Sequence, residues 1–402
     1  MSRFVAATAL GSLVLVALSA CADTDASPGQ VDTPNDEGGI VPSSDAGSLE
    51  DAGDVDADAD ADTDAGPREC TKEGFCHTVL PFNQTLRAVW SDGAGTTWAT
   101  SEQGSVLRYD GKTWSVHAKL STALWSIWGS SPTDIWVGGD AGLFHGVGNT
   151  SATLAFAQVA LPDVDTPITS IWGTSATDVW ATGSYLYASG RVVHHTGGVG
   201  RDDGPEFVLE SVSAKPISYT RVFGSQATGV WIAGSWVDKP GRRAILLRRS
   251  PGTSDFVEVS LPTNPNPGGP LEGALDRLYD ASLSADGLSV YVLGRAEGAV
   301  PAVATGTSAD GGQTFTWGFT ITGNYKEPLL NAVGAKSASD AWIAGDYGRL
   351  RHWNGTEWRQ SIITNDKYPV IAPLYAMGGR GDDLWFVGDG IALHRAPSKV
   401  EP

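Results

Sequence analysis

Four histidines that could bind a metal ion recur at matching places along the chain. Imidazole nitrogens are common zinc ligands and common general bases. Each of the four stands in a separate sequence repeat, on what we expect to be a third strand far from the centre of the fold. Their nitrogens would then be too far apart for one ion, whose ligands lie at about 2.1 Å. We therefore expect neither a metal nor a cofactor at these positions, which are His145, His194, His352 and His394.

The alternating aspartates of residues 54–64 are a candidate for binding calcium. A loop of the EF-hand type needs spaced oxygen ligands, a central glycine and a terminal glutamate. A loop that starts at Asp58 would end on Glu69, but Thr63 stands where the glycine is required, and no helical pattern flanks the run. We interpret the run as a solvated polyanion without a specific site.

Cys21 has the most specific chemistry of the three cysteines. It follows an apolar run that is too short for a membrane span and typical of a signal peptide. The run ends in Leu18-Ser19-Ala20-Cys21, which resembles the lipobox of bacterial lipoproteins. The resemblance implies that the Cys21 thiolate receives a lipid and that residues 1–20 are a lipoprotein signal peptide. An ordinary signal peptide cleaved near Ala20, with Cys21 incidental, is the alternative.

Residues 21–69 have the composition of a tether between that anchor and a folded domain. Residues 22–69 contain 15 acidic residues, one basic residue and no aromatic residue, so they carry most of the net charge of −19. Such a segment cannot bury enough apolar surface to offset the entropy lost on ordering, so we predict a disordered acidic linker. The negative charge of the chain argues against nucleic acid as a partner.

Cys70 and Cys76 are the two remaining cysteines. An exported chain folds where thiols are oxidised, and this favours a disulfide between them. A zinc site would need two more ligands nearby, and His77 is the single adjacent candidate. We predict the disulfide.

The rest of the chain repeats one pattern seven times. The pattern is an aliphatic residue followed by W-G-x-S-x-x-D-x-W-x-x-G, and it is clearest at residues 124–140 and again from Ile168. Weaker copies begin at Leu86, Tyr219, Leu278, Leu330 and Leu374. Seven such units, each long enough for four short strands, predict a β-propeller.

The aromatic residues of the repeat support seven blades. The second strand of each unit carries Trp98, Trp136, Trp180, Trp231, Tyr291, Trp342 or Trp385. The last unit has room for three strands, and residues 75–80 fit its missing fourth strand. We therefore predict an all-β, seven-bladed propeller of four-stranded blades over residues 70–397, closed by an N-terminal strand. Residues 398–402 would be a C-terminal tail.

Two third-to-fourth-strand connections contain the pairs Asp110-Gly111 and Asn354-Gly355. Such pairs favour two-residue hairpin turns with positive φ. We therefore predict tight two-residue hairpins at both places.

Residues 308–315 match S-x-D-x-G-x-T-F and resemble the Asp-box of sialidase-like propellers. In that family the aspartate caps backbone amides and the aromatic ring packs between blades, so the resemblance implies a structural turn. Its residues are Ser308, Asp310, Gly312, Thr314 and Phe315. Together with the tryptophan-rich repeat, this motif makes residues 70–397 similar to bacterial surface lipoproteins with propellers of the BNR/Asp-box and Kelch-like type.

One face of a propeller carries both the entries to the first strands and the loops between second and third strands. We expect a ligand to bind on this face. The first strands contribute Arg87, Trp125, Tyr279, Asn331 and Tyr375, and the loops contribute Asp140, Asp346 and Asp389. Insertions on the same face carry Tyr185, Tyr187 and Trp236.

No catalytic set converges in the sequence, and this favours a non-enzymatic binding module for a protein or a glycan. The chain has no G-x-S-x-G nucleophile elbow, and the sialidase F/Y-R-I-P motif is absent, with Pro67-Arg68 in the linker as the nearest match. Two alternatives stay open. The Asp-box permits a sialidase-like extracytoplasmic glycoside hydrolase, and a third possibility is an assembly factor like the Asp-box propellers that help membrane complexes form.

The predicted location is extracytoplasmic. We expect a monomeric propeller held by lipid on Cys21 to a bacterial membrane, with the outer membrane favoured, and facing the periplasm or the cell surface.

Overall fold

The computed structural model describes residues 70–71, 73–162, 166–185, 189–200, 204–236, 243–262, 275–296, 300–365 and 368–396. The predicted signal peptide, acidic linker and C-terminal tail, and with them Cys21, lie outside these residues. The described part contains seven antiparallel sheets of four strands each. The predicted all-β, seven-bladed propeller is therefore confirmed.

Strand β1, Cys76–His77, precedes the blades. Blade 1 consists of β2 (Leu86–Ser91), β3 (Thr97–Ser101), β4 (Ser105–Tyr109) and β5 (Trp114–Lys119). Blade 2 consists of β6 (Leu124–Ser131), β7 (Asp134–Gly139), β8 (Gly142–Val147) and β9 (Ala155–Val159). Blade 3 consists of β10 (Ser170–Ser175), β11 (Asp178–Gly183), β12 (Arg191–Val199) and β13 (Pro205–Leu209).

The next three blades follow the same order. Blade 4 consists of β14 (Ile217–Ser225), β15 (Gly229–Trp236), β16 (Arg243–Arg249) and β17 (Val257–Val259). Blade 5 consists of β18 (Arg277–Leu283), β19 (Ser289–Ala296), β20 (Val300–Thr307) and β21 (Thr316–Ile321). Blade 6 consists of β22 (Leu330–Ser337), β23 (Asp340–Gly345), β24 (Leu350–Trp353) and β25 (Trp358–Ser361), with a 3-10 turn at Asp346–Gly348.

Blade 7 takes its strands from both ends of the described chain. A small hairpin of β26 (Thr364–Asn365) and β27 (Tyr368–Pro369) leads into β28 (Leu374–Arg380), β29 (Asp383–Gly388) and β30 (Ala392–Arg395). The sheet order is β1-β30-β29-β28, so the N-terminal strand supplies the fourth strand as predicted. The first strands β28 and β2 are in contact, and this closes the ring.

Two features hold the closing strand in place. The disulfide between Cys70 and Cys76 is present, which confirms the predicted pairing. Between them, Phe75 is 0% exposed, and its ring meets those of Trp342 and Phe386 at centroid distances of 5.3 and 5.1 Å. The N-terminal segment is therefore anchored to blades 6 and 7 by packing as well as by strand pairing.

The tryptophan and glycine of the repeated W-G pair form contacts between neighbouring blades. The first-strand tryptophan of one blade lies over the glycine of the next blade, where a Cβ atom would approach the indole ring. The distances from that Cβ position are 3.1 Å for Gly129 to Trp90, 2.8 Å for Gly173 to Trp128 and 3.1 Å for Gly224 to Trp172. Glycine is therefore required because its partner ring covers the backbone closely.

The prediction of two-residue hairpin turns is wrong. Tyr109 pairs with Trp114, and Trp353 pairs with Trp358, so each connection has four residues. Only the glycines are left-handed, with φ of 92° at Gly111 and 94° at the equivalent glycine of blade 6. The side chain of the preceding Asp or Asn accepts backbone N–H bonds two and three residues ahead, and this stabilises a longer turn.

The described residues include no helix with the length and apolar character needed to cross a membrane.

Candidate functional site

The first strands share an irregularity at the position where we predicted ligand binding. In six blades the pairing register with the second strand shifts there, which marks a β-bulge. The bulged residues are Arg87, Trp125, Thr220, Tyr279, Asn331 and Tyr375, and all six are half-buried. A bulge re-aims the side chain of the extra residue, and bulges occur often beside binding sites. We call this ring of six residues the mouth.

Arg87 is at the centre of the best-defined part of the mouth. Its guanidinium carbon lies 3.8 Å from the ring centroid of Tyr375 and 5.5 Å from that of Trp125. Glu102 forms a close ion pair with the same guanidinium. Residues from blades 7, 1 and 2 thus form one continuous surface of two aromatic rings around an ion pair.

The three predicted loop aspartates each accept a hydrogen bond from a neighbouring first strand or its entry. Asp140 accepts from Trp125 Nε1 at 2.6 Å. Asp346 accepts from Asn331 Nδ2 at 2.9 Å. Asp389 accepts from the hydroxyl of Thr85 at 2.9 Å. These contacts orient the mouth side chains and leave each carboxylate with further acceptor capacity.

The electrostatics of the mouth are acidic on the side of blades 6, 7, 1 and 2. Burial raises the pKa of Tyr375, nearby Arg87 opposes that rise, and three carboxylates add to it. Those carboxylates belong to Asp389, Asp346 and Glu102. Because one arginine faces several carboxylates, this side of the mouth favours cationic groups.

Tyr279 lies on the opposite side of the ring, in blade 5. Burial raises its pKa, and the charges of Arg295 and Arg277 oppose that rise. The carboxylate of Asp276, which pairs with Arg295, adds to it. The guanidinium carbon of Arg277 is 5.7 Å from the Tyr279 ring centroid. The blade 5 side of the mouth therefore has two arginines beside one carboxylate, whereas the blade 7 side has one arginine beside three carboxylates.

The structure describes two of the three predicted insertion residues. Tyr185 is 55% exposed, and the ring of Trp236 lies 4.7 Å from the ammonium of Lys215. Tyr187 lies outside the described residues. Trp236 packs against the core cluster of blades 3 and 4 that includes Ile217. The residues that the structure brings together at this face are those of the first strands.

Glu102 borders the mouth through its ion pair with Arg87, and sequence reasoning missed it. It occupies in blade 1 the position that Asp140 holds in blade 2 and Asp346 holds in blade 6. The glycine before that position is replaced by Ser101, which hid the correspondence. Alignment on the preceding tryptophan, Trp98, would have found it.

The recurring histidines have a structural role within their blades. Each imidazole stacks on the second-strand tryptophan, with ring centroids 3.6–4.1 Å apart. Each Nε2 also lies 2.5–2.9 Å from the aspartate that begins the second strand. The aspartates are Asp134, Asp178, Asp340 and Asp383. Across the described ranges, no group of three His, Cys, Asp or Glu residues could hold a metal ion.

The Asp-box residues form a capped turn at the edge of blade 5. Asp310 accepts hydrogen bonds from the backbone N–H groups of Gln313 and Thr314 and from the hydroxyls of Ser308 and Thr314. The hydrogen bonds from Thr314, foremost among these, hold the pKa of Asp310 well below its usual range. The turn also contains Gly312, whose N–H donates to the hydroxyl of Ser308 at 2.8 Å.

Phe315 connects the Asp-box to blade 4. Its ring meets that of Trp231 edge-on at 5.1 Å, and the guanidinium of Arg248 lies 4.8 Å from Trp231 and 5.2 Å from Phe315. Arg248 also donates to the carbonyl of Gln313 at 2.7 Å. Arg248 takes the place that histidine holds in four other blades and links two blades at their outer edge.

The architecture is similar to that of several solved propellers. A structure of YCF48 bound to D1 peptide has a TM-score of 0.58 at 14% identity and covers 83% of this chain and 100% of its own. YCF48 from Cyanidioschyzon merolae has a TM-score of 0.58 at 15% identity and covers 81% and 100%. A streptogramin B lyase has a TM-score of 0.54 at 14% identity and covers 78% and 93%. At these identities the likeness establishes the fold alone.

No protein-family model matches the sequence, and no curated protein matches it either. The class that the fold defines is a seven-bladed β-propeller with a side-chain-lined mouth at one end of its channel.

Proposed function

We propose that this protein is a non-enzymatic, extracytoplasmic binding module whose mouth binds an extended segment of another protein. The observation that carries the proposal is the recurrence of a bulged side chain at the same first-strand position in six blades. A bulge costs a ladder hydrogen bond, so six at one level of the ring are explained best by the surface that they create.

The chemistry of the mouth selects a segment with cationic and apolar side chains. Trp125 and Tyr375 offer aromatic faces, and Arg87 between them is already paired with Glu102. The carboxylates of Asp140 and Asp346 are partly occupied by one hydrogen bond each. A lysine or arginine side chain from a partner would gain both carboxylate and aromatic contacts here.

The comparison with YCF48 bound to D1 peptide supports a peptide as the kind of ligand, because it shows a propeller of similar architecture with a peptide bound. A glycan is the other class of ligand that aromatic faces favour. A hydrolase would additionally turn the glycan over, so binding and turnover are separate outcomes of one experiment.

Binding by the purified, full-length protein tests the proposal on arrays of short peptides of defined charge and of cell-wall and host glycans. We expect selective binding of basic peptides. The double variant Trp125→Ala with Tyr375→Ala should weaken that binding about tenfold or more. Trp358→Ala, which removes a half-buried ring from an outer strand, is the matched control and should bind normally.

Three outcomes would contradict the proposal. They are preference for a glycan, catalytic turnover of a glycan, or equal binding by the double variant and the wild-type protein.

Anchoring through Cys21 is the second part of the proposal. It is supported by the Leu18-Ser19-Ala20-Cys21 sequence and by the acidic, aromatic-free residues that follow it. Cys21→Ser should abolish labelling of the protein by a radioactive fatty acid and release it from the membrane fraction. Labelling and membrane fractionation identical to those of the wild-type protein would exclude the lipid anchor.

A further inference from the structure

The contact between tryptophan and glycine that links blades 1 to 4 is interrupted in the other three blades. Ser282, Gly334 and Gly378 occupy the first-strand position, since they pair with Tyr291, Trp342 and Trp385 as the tryptophans of other blades do. Three large rings are therefore missing from one side of the channel at the same level.

A cavity of about 300 Å³ lies where those rings are missing. Trp172 and Phe223, the last rings of the uninterrupted series, form one wall, and Met377 forms part of another. The lining also includes Lys336, next to the last residue of first strand β22, and Gly381, in the connection between β28 and β29. The cavity thus opens toward the end of the channel opposite the mouth, and no mouth residue lines it.

A buried ion pair lies in the wall of this cavity. Asp280 is 2% exposed and pairs with Arg221 of the neighbouring blade. The carboxylate also accepts the N–H groups of Ala281 and Val333, both at 2.9 Å. Asp280 is therefore fully engaged by protein groups and holds Arg221 in a fixed position.

The terminal guanidinium nitrogens of Arg221 are available as hydrogen-bond donors. The Asp280 pair engages Nε, and no described residue accepts a hydrogen bond from the two terminal nitrogens. Its side chain is 30% exposed, and the residue lines the cavity. Beside it, the buried Oγ of Ser282 has no hydrogen-bond partner among the described residues. A guanidinium with a free edge matches the two oxygens of a carboxylate.

We propose that this cavity binds a small planar aromatic carboxylate. The aromatic ring packs against Trp172 and Phe223 in the space left by the missing rings. The carboxylate accepts two hydrogen bonds from Arg221, with the Ser282 hydroxyl as a further donor. This site is separate from the mouth, so a negative result for one of the two binding proposals leaves the other unaffected.

Isothermal titration calorimetry of the full-length protein tests the site with three probes of increasing size, namely benzoate, indole-3-carboxylate and 2-naphthoate. We expect one-to-one binding of at least one probe. The corresponding neutral carboxamide should bind about tenfold more weakly, because it offers a single acceptor oxygen. Absence of saturable binding by all three probes up to millimolar concentration would overturn the proposal.

Two variants locate the bound probe. Ser282→Phe restores an aromatic residue at the interrupted position and should abolish binding by filling the cavity. Arg221→Lys keeps the charge beside Asp280 but removes the planar fork, so it should weaken binding about tenfold with a similar melting temperature. Tyr375→Ala, in the mouth, is the control and should bind like the wild-type protein. Wild-type affinity in Ser282→Phe would overturn the assignment, and so would wild-type affinity in Arg221→Lys.

Discussion

Blades 1–4 and blades 5–7 share one backbone plan but fill the channel differently. In blades 1–4 a first-strand ring lies at each interblade boundary, and the rings of blades 1, 2 and 3 each cover a glycine of the next blade. In blades 5–7 the same register holds Ser282, Gly334 and Gly378, and a cavity replaces the rings. The second-strand aromatics are kept in all seven blades. The comparison indicates that each blade packs around a second-strand ring, whereas a blade can form without a first-strand ring.

The largest expected loss of stability comes from removing a second-strand tryptophan. Such variants test whether the second strands of the two regions are equivalent. Trp136→Ala in blade 2 and Trp342→Ala in blade 6 each remove a buried ring, with 0% and 3% of its residue surface exposed. Each should lower the free energy of unfolding by about 4 kcal/mol. Urea denaturation measures both, and a difference above about 2 kcal/mol between the two variants would show that the regions are not equivalent in this strand.

The next effect tests the difference in the first strand. Trp128→Ala should cost about 3 kcal/mol because it removes a ring that packs between blades 2 and 3. Ser282→Ala, at the same register in blade 5, should change stability by less than about 0.5 kcal/mol because its hydroxyl has no partner among the described residues. Similar losses of unfolding free energy in both variants would contradict the proposed difference between the first strands of blades 1–4 and those of blades 5–7.

The disulfide beside the closing strand of blade 7 should contribute an intermediate amount to the free energy of unfolding. The disulfide closes a short loop with a sequence separation of 6 residues. Replacing both Cys70 and Cys76 with serine should cost about 2 kcal/mol, since short loops restrict the unfolded chain modestly. Thermal unfolding with and without a reducing agent measures this. If the reducing agent also lowered the melting temperature of the double variant, its effect on the wild-type protein could not be assigned to this disulfide.

The smallest effect concerns two capped turns, one in each region. Hydrogen bonds lower the pKa of Asp310 in blade 5, those from Thr314 first, and the backbone N–H groups of Thr113 and Lys112 lower that of Asp110 in blade 1. A lowered folded-state pKa stabilises the protein above the unfolded value of about 3.9, and the contribution is lost as pH falls further.

Asp310→Asn and Asp110→Asn should therefore lower the melting temperature at pH 6, and their difference from the wild-type protein should shrink below about pH 4. The effect should be greater for Asp310, which accepts bonds from side chains as well as from the backbone. Melting temperatures measured across this pH range test the sign. A difference that grows toward low pH would contradict it.

Much of the fold could be predicted because it depends on a repeated local pattern. The aromatic registers indicated seven blades, and the incomplete last unit indicated the closing strand before it was seen. The hairpins at Gly111 and Gly355 could not be predicted correctly, because turn length depends on which residues pair across the strands. Asp and Asn caps favour longer turns than the dipeptide alone suggests.

The candidate sites were harder to predict than the fold. The face carrying Arg87 and Tyr375 followed from topology, but the bulges that re-aim these side chains depend on strand register. The Arg221–Asp280 pair joins residues far apart in sequence, and no local motif marks it. The replacement of tryptophan by Ser282 was visible in the sequence, yet its meaning needed the position of the neighbouring rings.

The most direct test of the central claim is site-specific photo-crosslinking in the native cell. A photoreactive phenylalanine analogue in place of Tyr375 should give a discrete crosslinked protein adduct, because that position lies in the mouth. The same analogue in place of Trp358, on an outer strand, should not give that adduct. Identical adducts from both positions, or none from Tyr375 while the protein is folded and anchored, would contradict a protein-binding mouth.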